Sequence, residues 1–319
     1  MSFHLVTFST HSERYYDLLQ KRGPVTNIGW GKPWLGWYDR VQHMIRFCEK
    51  IEKQNKNALI CFIDGFDTVI LSDDPYREIP EKFEKHFHDH YDLVFASEMP
   101  HGMLSAYVRN KLFEKCDASF LNAGCYIGYP WAIKRFWASI QPGDDDQQYA
   151  SSQCRSLINQ NYNKNKTIQK HIEKFEEENR QSDNPIRFGL DKECVLFLNY
   201  FKGIPYTIED NRLVLFGQNR PAILSGPAFQ NLNPLLKKLG YDPQDLPATD
   251  YKILRKYYID RTKAFAQYFF LEFIALFTLF VTVIFAIGSL IYALFYKVSQ
   301  KNDKRMKWIS RQKRKIDGT

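Results

Sequence analysis

Residues 58–71 read "ALICFIDGFDTVIL": six apolar or small residues, Ala58 to Ile63, run straight into Asp64, and Asp67 follows three positions later. An unbroken apolar run with β-branched and aromatic members predicts a strand buried on both faces. Carboxylates at the end of such a strand are costly to desolvate unless a positive charge meets them. What stands opposite Asp64 and Asp67 therefore decides what this chain can do.

Side chains alternate along a strand, so acids three apart converge only if the chain bends between them. Gly65 permits that bend. Two readings fit. In one, Asp64 caps local backbone and Asp67 faces water. In the other, both meet a hard divalent cation, Mn²⁺ or Mg²⁺, which takes oxygen ligands in octahedral geometry. Such an ion keeps places for phosphate oxygens and neutralises a diphosphate leaving group.

The neighbouring segments repeat the pattern. "HLVTFST" (4–10) predicts a short strand, "YYDLLQKRG" (15–23) a helix stopped by Gly23, and "GWGKPWLGWYDRV" (29–41) a Gly/Trp-rich loop. Val41, Ile45, Cys48 and Ile51 carry helical spacing within 39–53, and "YDLVFASE" (91–98) is a further apolar run ending in an acid. "SFLNAGCYIGYP" (119–130) is an apolar stretch broken by Asn122 and Gly124. Strands alternating with helices predict an α/β domain with a mixed, mostly parallel sheet flanked by helices. Ligands of open sheets bind beyond the carboxyl ends of the strands. Asp64, Asp67, Glu98 and Asn122 all fall at or past such ends, so they are expected to converge on one cleft.

Two other clusters need weighing. "GDDDQQYAS" (143–151) holds three adjacent acids, which suits an exposed loop. It also suits a site where acceptor hydroxyls are bound or deprotonated. His86, His88 and His90 alternate in "HFHDH", but their polar neighbours predict a helix end and a turn, and no fourth zinc ligand stands nearby.

The formal charge of +8 is confined to one end. Residues 297–319 carry nine Lys or Arg and two Asp, so the other 296 residues are nearly neutral. A nucleic-acid binder is expected to place its basic excess on the folded surface. That argues against nucleic acid as a partner, and against a metal-dependent nuclease or phosphotransferase.

"FIALFTLFVTVIFAIGSLIYALFY" (273–296) has no charge in 24 positions, more than the roughly 20 residues that cross a bilayer as a helix. Tyr268, Phe269, Phe270, Tyr292, Phe295 and Tyr296 flank it like an interfacial belt. It predicts a membrane anchor, with the lipid bilayer as a partner. The basic tail predicts a cytosolic C-terminus, whereas "MSFHLVTFST" lacks the features of a signal peptide. The second argument is given slightly more weight, and predicts a tail-anchored protein with a cytosolic domain. A shallow hairpin reaching back to Ala264, interrupted by Glu272, is a further arrangement.

Six cysteines, at 48, 61, 116, 125, 154 and 194, show no metal-binding spacing. They read as reduced thiols, with Cys61 and Cys125 acting as small hydrophobes inside apolar runs. Asn165-Lys166-Thr167 is a glycosylation sequon that matters only in a lumen.

Together "FIDGFDTVIL", "VFASE", "FLNAGCYIGYP", "DDDQQYAS" and "LDKECVLFLNY" resemble, in order, the glycosyltransferase domain of the multifunctional procollagen lysyl hydroxylases and their viral relatives. The resemblance runs from about His4 to Tyr241. It implies a GT-A fold, a UDP-sugar donor, Mn²⁺, and galactosyl or glucosyl transfer to a protein or glycan acceptor such as hydroxylysine of collagen-like chains. By that resemblance Asp64 and Asp67 are metal ligands, and Phe66 packs near the uridine. Glu98, Asp145 and Asp146 line the catalytic and acceptor site. Asn122 lies near the donor sugar, Asp191 is a structural or site-edge acid, and Trp30 or Trp34 covers the nucleotide. Two departures stand out. In "ILSGPAFQNL" (223–232) Ser225 occupies the place of the family's third metal ligand, a histidine. A hydroxyl ligates poorly, so weak metal binding or an inactive site is expected. "SEMPHGM" (97–103) lacks the tryptophan expected after Glu98.

The expected organisation is a GT-A-like domain over 1–247 with a polar insertion at about 159–185. A juxtamembrane linker (248–263), a transmembrane segment (264–296) and a basic tail (297–319) follow. The expected activity is UDP-hexose-dependent glycosyl transfer, and the rival is a non-catalytic membrane-tethered binding module of the same fold.

Overall fold

In a computed structural model of the chain the apolar run around Ile60 lies at the middle of a seven-stranded sheet. The structure describes residues 2–98, 115–116, 119–154, 185–201, 203–226, 230–244 and 277–298, together with 173–175, 177, 179, 274 and 302. The chain divides into two units, Met1–Leu246 and Pro247–Thr319.

The first unit opens with β1 (Phe3–Phe8), α1 (Tyr16–Gln20), β2 (Thr26–Asn27), α2 (Trp37–Gln54), β3 (Leu59–Asp64) and β4 (Thr68–Ile70). Next come α3 (Pro75–His86), β5 (Leu93–Glu98), β6 (Lys115–Cys116), β7 (Ser119–Gly128), α4 (Pro130–Trp137) and α5 (Asp146–Gln153). The last elements are β8 (Phe188–Asp191), β9 (Phe197–Asn199), β10 (Thr207–Glu209), β11 (Arg212–Val214), β12 (Ile223–Ser225) and α6 (Asn233–Lys238). Prolines open α3 and α4 at their first turns, where the missing N–H costs nothing.

The main sheet runs β2-β1-β3-β7-β5-β8, with β6 paired to β7. β2, β1 and β3 are parallel, as are β5 and β8. β7 runs antiparallel to both β3 and β5, so the sheet is mixed and mostly parallel, as the alternation of strands and helices predicts. All ten residues of β7 are buried, because it is central in the sheet. Its direction corrects one expectation. Asn122 does not follow a strand's carboxyl end; it lies within β7, opposite Ala96. An antiparallel strand begins where its parallel neighbours finish, so Asn122 still reaches the edge that Asp64 and Glu98 occupy.

A smaller sheet, β4-β12-β9, carries its own core of Val69, Leu198, Leu224 and Leu236. The larger core joins the main sheet to α2, α3 and α4 through Met44, Cys48, Phe83, Ile133 and Phe136. His86 ends α3, and His88 Nδ1 meets the Tyr129 hydroxyl at 2.8 Å.

The cysteines require a second correction. Cys116 and Cys154 form a disulfide, with Cα atoms 4.9 Å apart, while Cys48, Cys61, Cys125 and Cys194 are free and buried. The partners are 38 residues apart in sequence, and only the fold brings β6 to the end of α5.

In the second unit a helix over Phe277–Val298 has 22 residues and a mean hydropathy of 2.3, long and apolar enough to cross a membrane. The linker 248–263, the sequon and nearly all of the basic tail lie outside the described residues, as does most of the insertion.

Candidate active site

β3 delivers Asp64 to the edge of the sheet, and the chain bends through Gly65 and Phe66 before Asp67 leads into β4. Gly65 keeps an ordinary backbone conformation. Its lack of a side chain matters for another reason: a Cβ there would overlap the Ser9 hydroxyl at the end of β1. The Asp67 carbonyl accepts from Gly226 N at 2.8 Å, and Thr68 pairs with Ser225 across β4 and β12. Buried Ser225 therefore sits beside the second acid of the turn. Burial and the neighbouring charge of Asp64 push the Asp67 carboxyl up to about 7.

The third contributor is a fault in β7. Its ladder with β5 pairs Phe95 with Tyr126 but Ala96 with Asn122, so extra residues bulge out between them. Bulges re-aim side chains and leave backbone groups unpaired. Gln147 of α5 collects those groups: its Oε1 accepts from Ala123 N at 2.8 Å, and its Nε2 donates to the Leu121 carbonyl. Gly124, in the bulge, faces Asp64; a Cβ there would overlap Asp64 Oδ2.

Asn122 ties the bulge to the other strand ends. Its Oδ1 accepts from Gly124 N at 2.7 Å, and its Nδ2 donates to Glu98 Oε1 at 2.6 Å and to Asn199 Oδ1 at 3.3 Å. Asn199 Nδ2 in turn donates to the Ser97 carbonyl at 3.0 Å. Glu98, Asn122 and Asp64 thus form one contiguous group.

The acidic string at the start of α5 divides its work. Asp145 caps the helix, its Oδ1 accepting from Gln148 N at 2.9 Å. Asp146 turns inward and is almost wholly buried. It meets Arg40 of α2, whose guanidinium also donates to Asp64 Oδ1 at 2.5 Å. Burial pushes the Asp146 carboxyl up to about 6, although Arg40 pulls the other way. Arg40 lies over the rings of Trp37, at 4.8 Å, and Phe62, at 5.4 Å. The fixed positive charge opposite Asp64 is therefore a side chain of the protein.

Residues 25–179 match the family described as the PLOD GT domain. The matched stretch spans just under half of the chain. The match includes Arg40, Asp64, Asp67, Glu98, Asn122 and Asp146, and stops before Asp191 and Ser225. No curated protein matches the chain. Among solved structures, a glycosyltransferase involved in the glycosylation of the major capsid of PBCV-1 aligns over 75% of this chain and 99% of its own. The identity is 8% and the TM-score 0.39. A197 from STIV aligns over 49% of this chain and 78% of its own, with 13% identity and a TM-score of 0.29.

Phe66 stands between Asp64 and Asp67 in the bend, and Trp30 and Trp34 precede α2. Phe66 tilts against His11 at 5.2 Å. Trp30 stacks on Tyr16 at 5.2 Å, and Trp34 packs edge-on against Phe8 at 5.9 Å. Phe8 pairs with Asp64 across β1 and β3. Both tryptophans keep about half their surface exposed. Asp191 is structural: fully buried, it accepts from the backbone N–H groups of Val195, Leu196 and Phe197 at 2.7–2.9 Å. Residues 99–114, where the family's tryptophan is missing, lie outside the described residues.

Arg40, Gln147 and Asn199 escape sequence reasoning. Arg40 carried a faint signal. It precedes Met44 and Cys48 by one and two helical turns, a charge on the buried stripe of an amphipathic helix. Gln147 and Asn199 stand inside the resembling segments "DDDQQYAS" and "LDKECVLFLNY", but nothing local marks their partners.

Proposed function

We propose that this chain is a membrane-anchored GT-A-type glycosyltransferase that moves a hexose from a UDP-sugar to a hydroxyl acceptor. The observation that carries the reading is the pair Asp64 and Asp67 on either side of one bend, between the end of β3 and the start of β4. Two crowded carboxylates with a glycine notch beside one of them suit a hard cation. Among the described residues no group of three or more His, Cys, Asp or Glu side chains gathers as a metal site. The donor set is therefore two carboxylates, which fits an ion that draws its remaining ligands from diphosphate and water. Asp64 and Asp67 would hold Mn²⁺ or Mg²⁺, which supplies a Lewis acid for the departing UDP.

The chain's own groups do the rest. Glu98, oriented by Asn122, takes the proton of the acceptor hydroxyl as its oxygen bonds to the sugar's anomeric carbon. The bond from that carbon to the phosphate oxygen breaks, and UDP leaves with the electron pair. Asp146, buried against Arg40, backs the acceptor side where Asp145 caps α5, and Asn122 lies toward the donor sugar. Phe66, Trp30 and Trp34 offer faces for the nucleotide.

The test is UDP release by the full chain in detergent across a panel of UDP-sugars, with and without Mn²⁺, beside Asp64→Asn and Asp67→Asn. Mn²⁺-dependent release abolished in both variants supports the enzyme. One observation favours a second reading: Ser225 stands beside Asp67 where the family resemblance calls for a histidine. If the chain neither releases nor binds UDP, it acts as a tethered binding module instead.

The Phe277–Val298 helix would be the anchor. The Cys116–Cys154 bond favours a domain in an oxidising compartment, since cytosolic thiols are kept reduced. The basic tail favours a cytosolic C-terminus. Together they outweigh the cytosolic domain that the N-terminal sequence suggests. Glycan on Asn165, read as a mobility shift on amidase treatment of the cellular protein, supports this topology. An unmodified Asn165 with all six cysteines alkylatable without reduction opposes it.

A further inference from the structure

We propose that Arg40 is a positioning residue whose single guanidinium fixes both Asp64 and Asp146, so that Asp64 meets a bound cation through Oδ2 while Oδ1 stays committed to the arginine. The inference rests on the metal reading of Asp64 and goes beyond it, because Arg40 need touch neither metal nor sugar.

Three observations carry it. First, the geometry is a fork. One terminal nitrogen donates to Asp64 and the other to Asp146, on elements far apart in sequence. A planar guanidinium can hold two carboxylates in fixed directions, whereas an ammonium is a point charge. Second, the fork is itself held. The Arg40 side chain is only 8% exposed and lies over the rings of Trp37 and Phe62. Third, the carboxylate it grips has its other oxygen pointed at Gly124, the notch in β7. Asp64 is thus prevented from turning, and one oxygen keeps one direction. The same clamp gives the donor-side acid and the acceptor-side acid a common reference point. The order of groups is Asp67, Asp64, Arg40, Asp146, with two carboxyl groups next to each other on one side and an ion pair on the other.

The test measures Mn²⁺ binding in the presence of UDP by electron paramagnetic resonance, on the full chain in detergent, with near-ultraviolet circular dichroism as the check on folding. Arg40→Lys keeps the charge and loses the fork; its Mn²⁺·UDP dissociation constant should rise by about tenfold or more, as for other groups that orient a metal ligand. Asp146→Asn leaves Arg40 in place and touches no metal, yet should weaken Mn²⁺·UDP binding several-fold and change the Mn²⁺ line shape. That second variant decides the matter if Arg40→Lys does not fold. Unchanged affinity and line shape in Asp146→Asn, with wild-type binding intact, overturns the clamp and leaves Asp64 and Asp67 as ligands. No Mn²⁺·UDP binding by the wild type overturns the ligand assignment, and the clamp with it.

Discussion

Asn122 donates to Glu98 Oε1 at 2.6 Å from the far side of a β-bulge, so β7 orients the acid at the end of its antiparallel neighbour β5. Replacing this donor with an acceptor should be felt at once. Asn122→Asp sets two carboxylates against each other and is expected to cost about 1–3 kcal/mol near neutral pH. The loss should shrink in acid, where one of the pair takes a proton. Urea titrations at two pH values check this, and UDP release should fall with the same substitution.

Glu78 gives the clearest pH dependence outside the site. Burial alone would raise its carboxyl, but hydrogen bonds from Lys82 and Ser72, the charge of Lys82 and a bond from Arg212 hold it down at about 2. A folded value below the ordinary 4.5 means stability present above that value and lost as pH falls toward 2. Glu78→Gln should cost about 1–3 kcal/mol near neutrality, allowing for its partial exposure to solvent. In denaturant titrations the gap between wild type and variant should close through the acid range. A gap independent of pH would sink the account.

Gly65 makes a steric prediction. Gly65→Ala forces a Cβ onto the Ser9 hydroxyl and should destabilise by about 1–3 kcal/mol. Adding Ser9→Gly empties that space and should return part of the loss. A double-mutant cycle measures the coupling, and strict additivity would disprove the contact.

Gln147 should be intolerant of its nearest relative. Gln147→Glu still accepts from Ala123 N but cannot donate to the Leu121 carbonyl, leaving a buried acceptor unmet. The expected loss is about 1–3 kcal/mol, with faster hydrogen exchange in the bulge of β7 than in its far end.

The parts of this molecule that were legible in the sequence are those governed by local pattern. The run ending at Asp64 announces a buried central strand, and the apolar spacing within 39–53 announces α2, whose first turn at Trp37 reaches back into the expected Gly/Trp loop. Direction was illegible: nothing in "SFLNAGCYIGYP" says that β7 opposes its neighbours, because a strand buried on both faces looks alike either way. Pairings over long separations were equally hidden. Cys116 pairs with Cys154, and β4 with β12, across long stretches of intervening chain. Arg40 is the instructive case. Its place on an apolar stripe marked a buried charge, but its partners, Asp64 and Asp146, lie 24 and 106 residues away.

The string Asp144-Asp145-Asp146-Gln147 looks like repetition and behaves like four separate words. Asp144 accepts from Gln141 N at 2.8 Å and closes the preceding turn; Asp145 caps a helix; Asp146 grips Arg40. Gln147 lends a carboxamide, shaped like a peptide group, to a strand that has run out of neighbours there. A one-residue insertion or deletion inside this string would leave its composition almost unaltered and scramble every assignment. Sequence comparison that scores acidity alone would therefore rate a ruined site and an intact one as the same.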